Sequence, residues 1–218
     1  MRYLNKIVFI NSAAIRYSEV QLDGNIHLIG TQGVGKSTIL RAILFFYNAD
    51  TQRLGIPVEK KSYQDYYFPY ADSSIIYEVA REDGWFTVLS YKTMNRICYR
   101  FYASPYRPDL FIDEEGAPYP SDRIRSVLDK NGIKYSGAIS TYEEYRNILY
   151  GNSDNKRDYS CYSLMESGSY QNIIRTIQNV LLNSRLEADY IKQTIITSLN
   201  EADSVIDLSR YRSHLSGF

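Results

Sequence analysis

The chain has 218 residues, long enough to bury a core without disulfides or metals, and its 25 basic side chains balance 25 acidic ones. Zero formal charge removes any whole-chain electrostatic argument for a nucleic-acid or membrane partner. Cys98 and Cys161 are isolated thiols without metal-ligand spacing, expected to be reduced in a cytoplasmic protein, and no apolar run approaches the roughly 20 residues of a membrane span.

The first elements predicted are strands. "NKIVFIN" and "YSEVQL" carry β-branched and alternating residues. "NIHLIG" is nearly continuous in apolar character and reads as a buried central strand, with His27 a packing residue within it. A helix follows from about Lys36 to Tyr47, its apolar face supplied by Ile39, Leu40, Ile43, Leu44 and Phe46. Residues 50–72 carry two prolines and clustered charge and read as a loop.

A β-rich stretch comes next. "SSIIYEVAREDGWFTVLSYK" predicts two strands around Asp83-Gly84, a strong hairpin signal; "RICYRFYA" and "DLFID" continue it. Ser121 opens a helix through Ile124, Val127 and Leu128, and Gly132 follows. Thr141 and Glu144 form a capping box for a second helix that Gly151 closes. Beyond a polar loop, Ile173, Ile174, Ile177 and Val180 form a helical stripe. A second capping box, Ser184 and Glu187, precedes Ala188, Ile191, Ile195 and Leu199 at helical spacing. The 22 tyrosines suit strand faces; stacking on bases is the alternative.

Between the third predicted strand and the first helix stands Gly30-Thr31-Gln32-Gly33-Val34-Gly35-Lys36-Ser37, followed by Thr38. It satisfies G-x-x-x-x-G-K-[ST], the phosphate-binding P-loop. Glycines let the backbone fold into a nest whose N–H groups face phosphate oxygens. The helix directs its positive end at the same point. Lys36 is the candidate catalytic residue, a mobile charge for the β- and γ-phosphates. Ser37 is the candidate magnesium ligand. ATP and Mg²⁺ are the cofactors expected.

Other motifs are weaker. Leu110-Phe111-Ile112-Asp113-Glu114 resembles a Walker B strand, but Pro108 and Asp109 interrupt it and Glu114-Glu115-Gly116 reads as a hairpin turn. Asp113–Gly116 and Asn155-Lys156-Arg157-Asp158 match GTPase patterns without the buried strand that base reading needs. His214-Leu215-Ser216-Gly217-Phe218 matches the start of an ABC signature loop, yet the helix such a loop requires does not follow.

Residues 3–48 resemble the N-terminal half of an ABC-type ATPase head, as in SMC proteins and the related coiled-coil DNA-repair ATPases. Those heads run strand, asparagine-containing turn, strand, G-x-N-G-x-G-K-S and helix; Gln32 stands where that family usually has asparagine. Residues 73–130 match as a pattern of β-meander, hairpin and helix. "SYQDYYFPYADSSIIYEV" resembles condensin-like ATPases of bacterial plasmid-defence systems. The resemblance implies an α/β P-loop fold, a mixed sheet with an antiparallel β-subdomain, and a helical region. Its parts would be a P-loop core over 1–50, the β-subdomain over 73–118, and helices over 119–218 leading toward a coiled coil. It implies MgATP sandwiched between two heads, with hydrolysis coupled to DNA movement or clamping. Gln171 then becomes a second magnesium ligand, the Q-loop residue, with Gln178 its rival; the alternative is a solvated residue at a helix N-terminus. A Mg²⁺-binding aspartate, a water-orienting glutamate and a signature loop would come from a C-terminal half-head of the same protein. The chain is therefore expected to be a fragment that binds ATP and turns it over near background. The competing readings are a self-contained P-loop nucleotide or small-molecule kinase, and a nucleotide-gated adaptor.

Overall fold

The structure, a computed structural model, describes residues 2–164 apart from Asn25, Val58, Asn95 and 152–158. Among the described residues five strands form one antiparallel sheet in the order β2-β1-β3-β4-β5. The strands are β1 (Tyr3–Ser12), β2 (Ile15–Gln21), β3 (Ser74–Arg81), β4 (Gly84–Thr93) and β5 (Arg96–Tyr102). The helices are α1 (Lys36–Asn48), α2 (Tyr63–Tyr67), α3 (Ser121–Lys130) and α4 (Tyr142–Leu149). The predicted helices beyond residue 170 lie outside the described residues.

Register follows from the alternation of side chains across each strand. Ile7 pairs with Tyr77, Tyr77 with Val88, and Val88 with Phe101. This row faces α1 and α4: Phe46 lies 5.0 Å from Tyr77, ring centre to ring centre, and Tyr145 of α4 lies 4.3 Å from Tyr99 and 5.6 Å from Phe101. The opposite face, with Val8, Ile76, Leu89 and Tyr102, packs with Tyr106, Phe111, Ile124 and Leu128 from the segment that follows β5. Both faces are thus covered, and so β3 is buried along seven of its eight residues instead of alternating. The covered sheet also takes in a carboxylate: Glu78, 5% exposed, accepts from the Asn5 amide and from the Tyr106 N–H, each at 2.7 Å. Those bonds replace its lost hydration.

Tyrosine hydroxyls hold α1 in place. Tyr67 donates to the Thr38 carbonyl (2.7 Å), Tyr77 to Ala42 (3.2 Å) and Tyr145 to Phe46 (2.6 Å). These acceptors recur every fourth residue, so they share one helix face. Tyr150 adds a bond to the Tyr47 carbonyl at 2.6 Å. At the helix end the Ala49 N–H satisfies the Phe45 carbonyl at 2.7 Å. The strand-face account of the tyrosines therefore holds for Tyr77, Tyr99 and Tyr102, while Tyr67 and Tyr145 work from helices and Tyr150 from the residue that follows α4.

Several elements differ from expectation. The β3–β4 loop is Glu82-Asp83, since Arg81 pairs with Gly84; Gly84 at φ 144° opens β4. "DLFID" is a turn of 3₁₀ helix, Pro108–Leu110, followed by a single bridge between Ile112 and Pro118; a proline there has no N–H for a ladder. The region 50–72 is not all loop: Ser62 caps α2 by accepting from the Asp65 N–H at 3.1 Å. Of "NIHLIG", the described residues 26–30 form no strand. Ile29 is 91% exposed and His27 is exposed instead of packed. Among the described residues no strand lies alongside to take its backbone groups, and an extended segment becomes a strand only by pairing. The face predicted for α1 is correspondingly half-realised. Leu44 and Phe46 are buried, while Ile39, Leu40 and Ile43 are only partly so.

Candidate functional site

The segment from Gly30 to Ser37 folds as a closed loop. Lys36 starts α1 and turns its side chain back, so that Nζ donates to the carbonyls of Gly30 and, at 2.7 Å, Thr31. A Cβ at Gly30 would meet Val34 Cγ2 at 2.6 Å, so any other residue there would have to push the exposed Val34 side chain aside for the loop to close this tightly. Gly35 sits at φ 92° as the residue preceding α1, a backbone state costly for other side chains. The ring of lysine, loop and helix start is therefore encoded by the spacing of glycines and lysine.

Closure leaves donors unused. The Thr38 and Ile39 N–H groups bond to the Gly35 carbonyl, at 3.0 and 3.1 Å. Among the described residues, no N–H from Thr31 to Ser37 donates to a backbone carbonyl. No side chain caps α1 and no acid occupies its first turn. The positive end of the helix and the loop amides therefore lie together, an arrangement suited to an anion.

A cavity of about 890 Å³ opens there. Gln32, Gly33, Gly35, Lys36, Ser37 and Thr38 form its loop side. Gly30, Thr31 and Val34 are not among its lining residues: the first two anchor Lys36, and Val34 packs over Gly30. The far side is Ile56, Lys60, Lys61, Tyr66 and Tyr67, and Arg41, farther along α1, completes the lining. The described lining thus has four cationic side chains and no acid. The balanced total charge conceals a local basic concentration that only folding assembles.

Sequence reading missed that far wall. Its signal was present in the Ser62 cap and in Tyr63 and Tyr67, four residues apart on one face of α2. Both tyrosines are buried, and Tyr63 stacks on Phe45 with ring centres 4.4 Å apart. Arg41 ties the preceding loop to α1 by donating to the Gly55 carbonyl at 3.3 Å. Burial pushes the Tyr67 phenol above its usual range, keeping its proton on the bond to Thr38. The Ser62 hydroxyl holds the Asp65 carboxyl below its usual range, and Lys92 lies 3.5 Å from it.

Asp113 is not at this cavity. Its Oδ1 accepts from the Glu115 N–H (3.0 Å) and the Ala117 N–H (2.7 Å), the bonding of a tight turn. Gln171, Gln178, the Asn155–Asp158 motif and His214–Phe218 lie outside the described residues.

The chain belongs to a family described as a protein of unknown function, DUF3584, whose model matches residues 12–214. No curated protein and no solved structure matches it. No helix among the described residues is long and apolar enough to cross a membrane.

Proposed function

We propose that the chain is the ATP-binding, N-terminal half of an SMC-like ABC-type ATPase head, an α/β P-loop fold completed by a C-terminal half-head. The closed loop carries this reading. Lys36 is held at the loop mouth by Gly30 and Thr31, and the amides from Thr31 to Ser37 stay uncommitted beside a cavity with cations and no acid. A nucleotide's phosphates meet all of these demands together. Gly33, Gly35 and the first turn of α1 would cradle the chain of phosphates, and Lys36 would reach the outer two. The Ser37 hydroxyl, exposed in the cavity lining, would hold Mg²⁺. When bound, the ion would supply positive charge against the developing charge of the phosphates.

The exposed segment before the loop favours a half-head over a self-contained enzyme. Ile29 and Val34 are 91% and 57% exposed around backbone that pairs with no described strand. A strand supplied by a C-terminal half-head would take those backbone groups and cover both side chains. Dimerisation of heads, action on DNA and a cytoplasmic setting follow from the resemblance to SMC-like ATPases. Lys60 and Lys61 at the cavity lend some support to the kinase alternative, because phosphoryl transfer needs such charges near the phosphates.

Steady-state turnover separates the readings. The chain alone should hydrolyse ATP near background, adding the C-terminal half-head should raise the rate, and Lys36→Ala should abolish the gain. Turnover of about 1 s⁻¹ or faster by the chain alone contradicts the half-head reading and favours a kinase-like enzyme. Tight binding with no turnover in either condition favours the adaptor.

A further inference from the structure

We propose that the wall facing the phosphate loop is the subsite for the base and sugar of the bound nucleotide, with the Tyr66 ring as the platform on which the base stacks. This rests on the nucleotide-binding reading above and deepens it. Size is the first argument. The cavity, about 890 Å³, lies toward the upper end of the roughly 300–1,000 Å³ of small-molecule sites. The phosphate loop and α1 line only one side of it, so the remainder is available to the nucleoside.

The second argument is how Tyr66 is presented. Helix α2 is fastened by its buried face. Tyr63 stacks on Tyr67 with ring centres 4.1 Å apart and planes at 22°, and the Tyr67 hydroxyl is bonded to the Thr38 carbonyl. Tyr66 is left on the free side, 39% exposed, with its ring edge-on to Tyr67 at 5.1 Å and 81°. Its hydroxyl lies 3.4 Å from Thr38 Oγ1 in the first turn of α1. The ring therefore rises from the rim of the phosphate loop on a rigid support. An exposed aromatic held in place loses little entropy when a flat ligand covers it.

The third argument is chemical complementarity along the wall. Ile56 lines the same cavity and offers an apolar surface suited to a base or sugar face. Arg41, Lys60 and Lys61 add positive charge to the same lining, which the phosphates of a nucleotide would use. A turn in which the Lys60 N–H donates to the Pro57 carbonyl at 3.0 Å, together with the Arg41–Gly55 bond, holds this segment against α1. A bare polyphosphate would use the charges and leave Tyr66 and Ile56 uncovered; a nucleotide uses both.

The test is calorimetric titration of the 218-residue chain with MgATP and, separately, with magnesium and inorganic triphosphate. The proteins are wild type, Tyr66→Phe and Tyr66→Leu, each with its unliganded melting temperature measured. Stacking on one aromatic ring corresponds to about a 5- to 150-fold change in affinity. Tyr66→Leu should weaken ATP by that factor and leave triphosphate within about twofold. Tyr66→Phe, which keeps the ring and loses the hydroxyl, should bind both ligands like wild type. Equal weakening of ATP and triphosphate by Tyr66→Leu, or no weakening of either, overturns the subsite while leaving the phosphate loop standing. Failure of wild type to bind either ligand overturns the phosphate loop and the subsite with it.

Discussion

The clearest structural prediction concerns Tyr145→Phe. The last carbonyls of a helix have no partner within it, and α1 has no basic residue in its last turn to serve them. The Phe46 carbonyl instead accepts from the Tyr145 hydroxyl at 2.6 Å. Tyr145 is 1% exposed and Phe46 is fully buried, so water cannot replace the bond. The substitution keeps the ring and its packing on Tyr99 and Phe101. It removes one oxygen and strands one buried carbonyl, a loss of about 1–3 kcal/mol. For a chain of this size that lowers the melting midpoint by about 2–12 °C. Tyr142→Phe provides the control, because Tyr142 lies on the same helix but is 42% exposed; its midpoint should move by less than about 0.5 kcal/mol in equivalent stability. Thermal unfolding followed by calorimetry measures both. Equal destabilisation by the two substitutions would refute the claim that tyrosine hydroxyls complete the end of α1.

Alkaline unfolding should be cooperative. Burial holds the phenols of Tyr63, Tyr77, Tyr102 and Tyr145 well above the tyrosine value of 10.0. A raised pKa in the fold favours the neutral phenol. Its stabilising contribution is therefore complete below pH 10 and is lost as pH rises beyond it, where the unfolded chain ionises first. Exposed tyrosines such as Tyr70 can ionise with the sheet intact, so the buried phenols should appear as a separate phase of phenolate absorbance that coincides with loss of circular dichroism; complete ionisation of the tyrosines with the sheet intact would contradict the packing described. Asp113→Asn keeps the Oδ1 acceptor of its turn and should change stability by less than about 0.5 kcal/mol, with nucleotide affinity unchanged. A tenfold or greater fall in affinity, about 1.4 kcal/mol, would return Asp113 to the site.

The closed loop from Gly30 to Ser37 was legible because its geometry is local. Three glycines and a lysine at fixed spacing dictate a loop that closes on its own carbonyls, and no distant residue is needed. The β3–β4 hairpin and the capped α4 were legible for the same reason: Thr141 does accept from the Glu144 N–H, at 3.3 Å. What could not be read depends on partners far along the chain. "NIHLIG" has the composition of a buried strand, but composition does not supply the neighbour that makes a strand, and Ile29 remains exposed. The basic wall escaped notice because Arg41 and Lys60 come together only when α2 docks under α1 through Tyr63 and Tyr67. The tyrosines gave the opposite lesson. Their number was read as a preference for strand faces, yet Tyr67, Tyr77, Tyr145 and Tyr150 hydrogen-bond to carbonyls of α1, a use that periodicity alone does not reveal.

The central claim, that the loop from Gly30 to Thr38 holds the phosphates of a nucleotide, is tested most directly by thermal denaturation with and without MgATP. At about 100 times its dissociation constant the ligand should stabilise the fold by about 2.7 kcal/mol, a midpoint rise of about 5–11 °C. In the unliganded protein Lys36 bonds only to exposed carbonyls of its own loop. Lys36→Ala should therefore melt within about 1–2 °C of wild type without ligand and show almost none of the rise with it. An equal rise in both proteins would contradict the assignment.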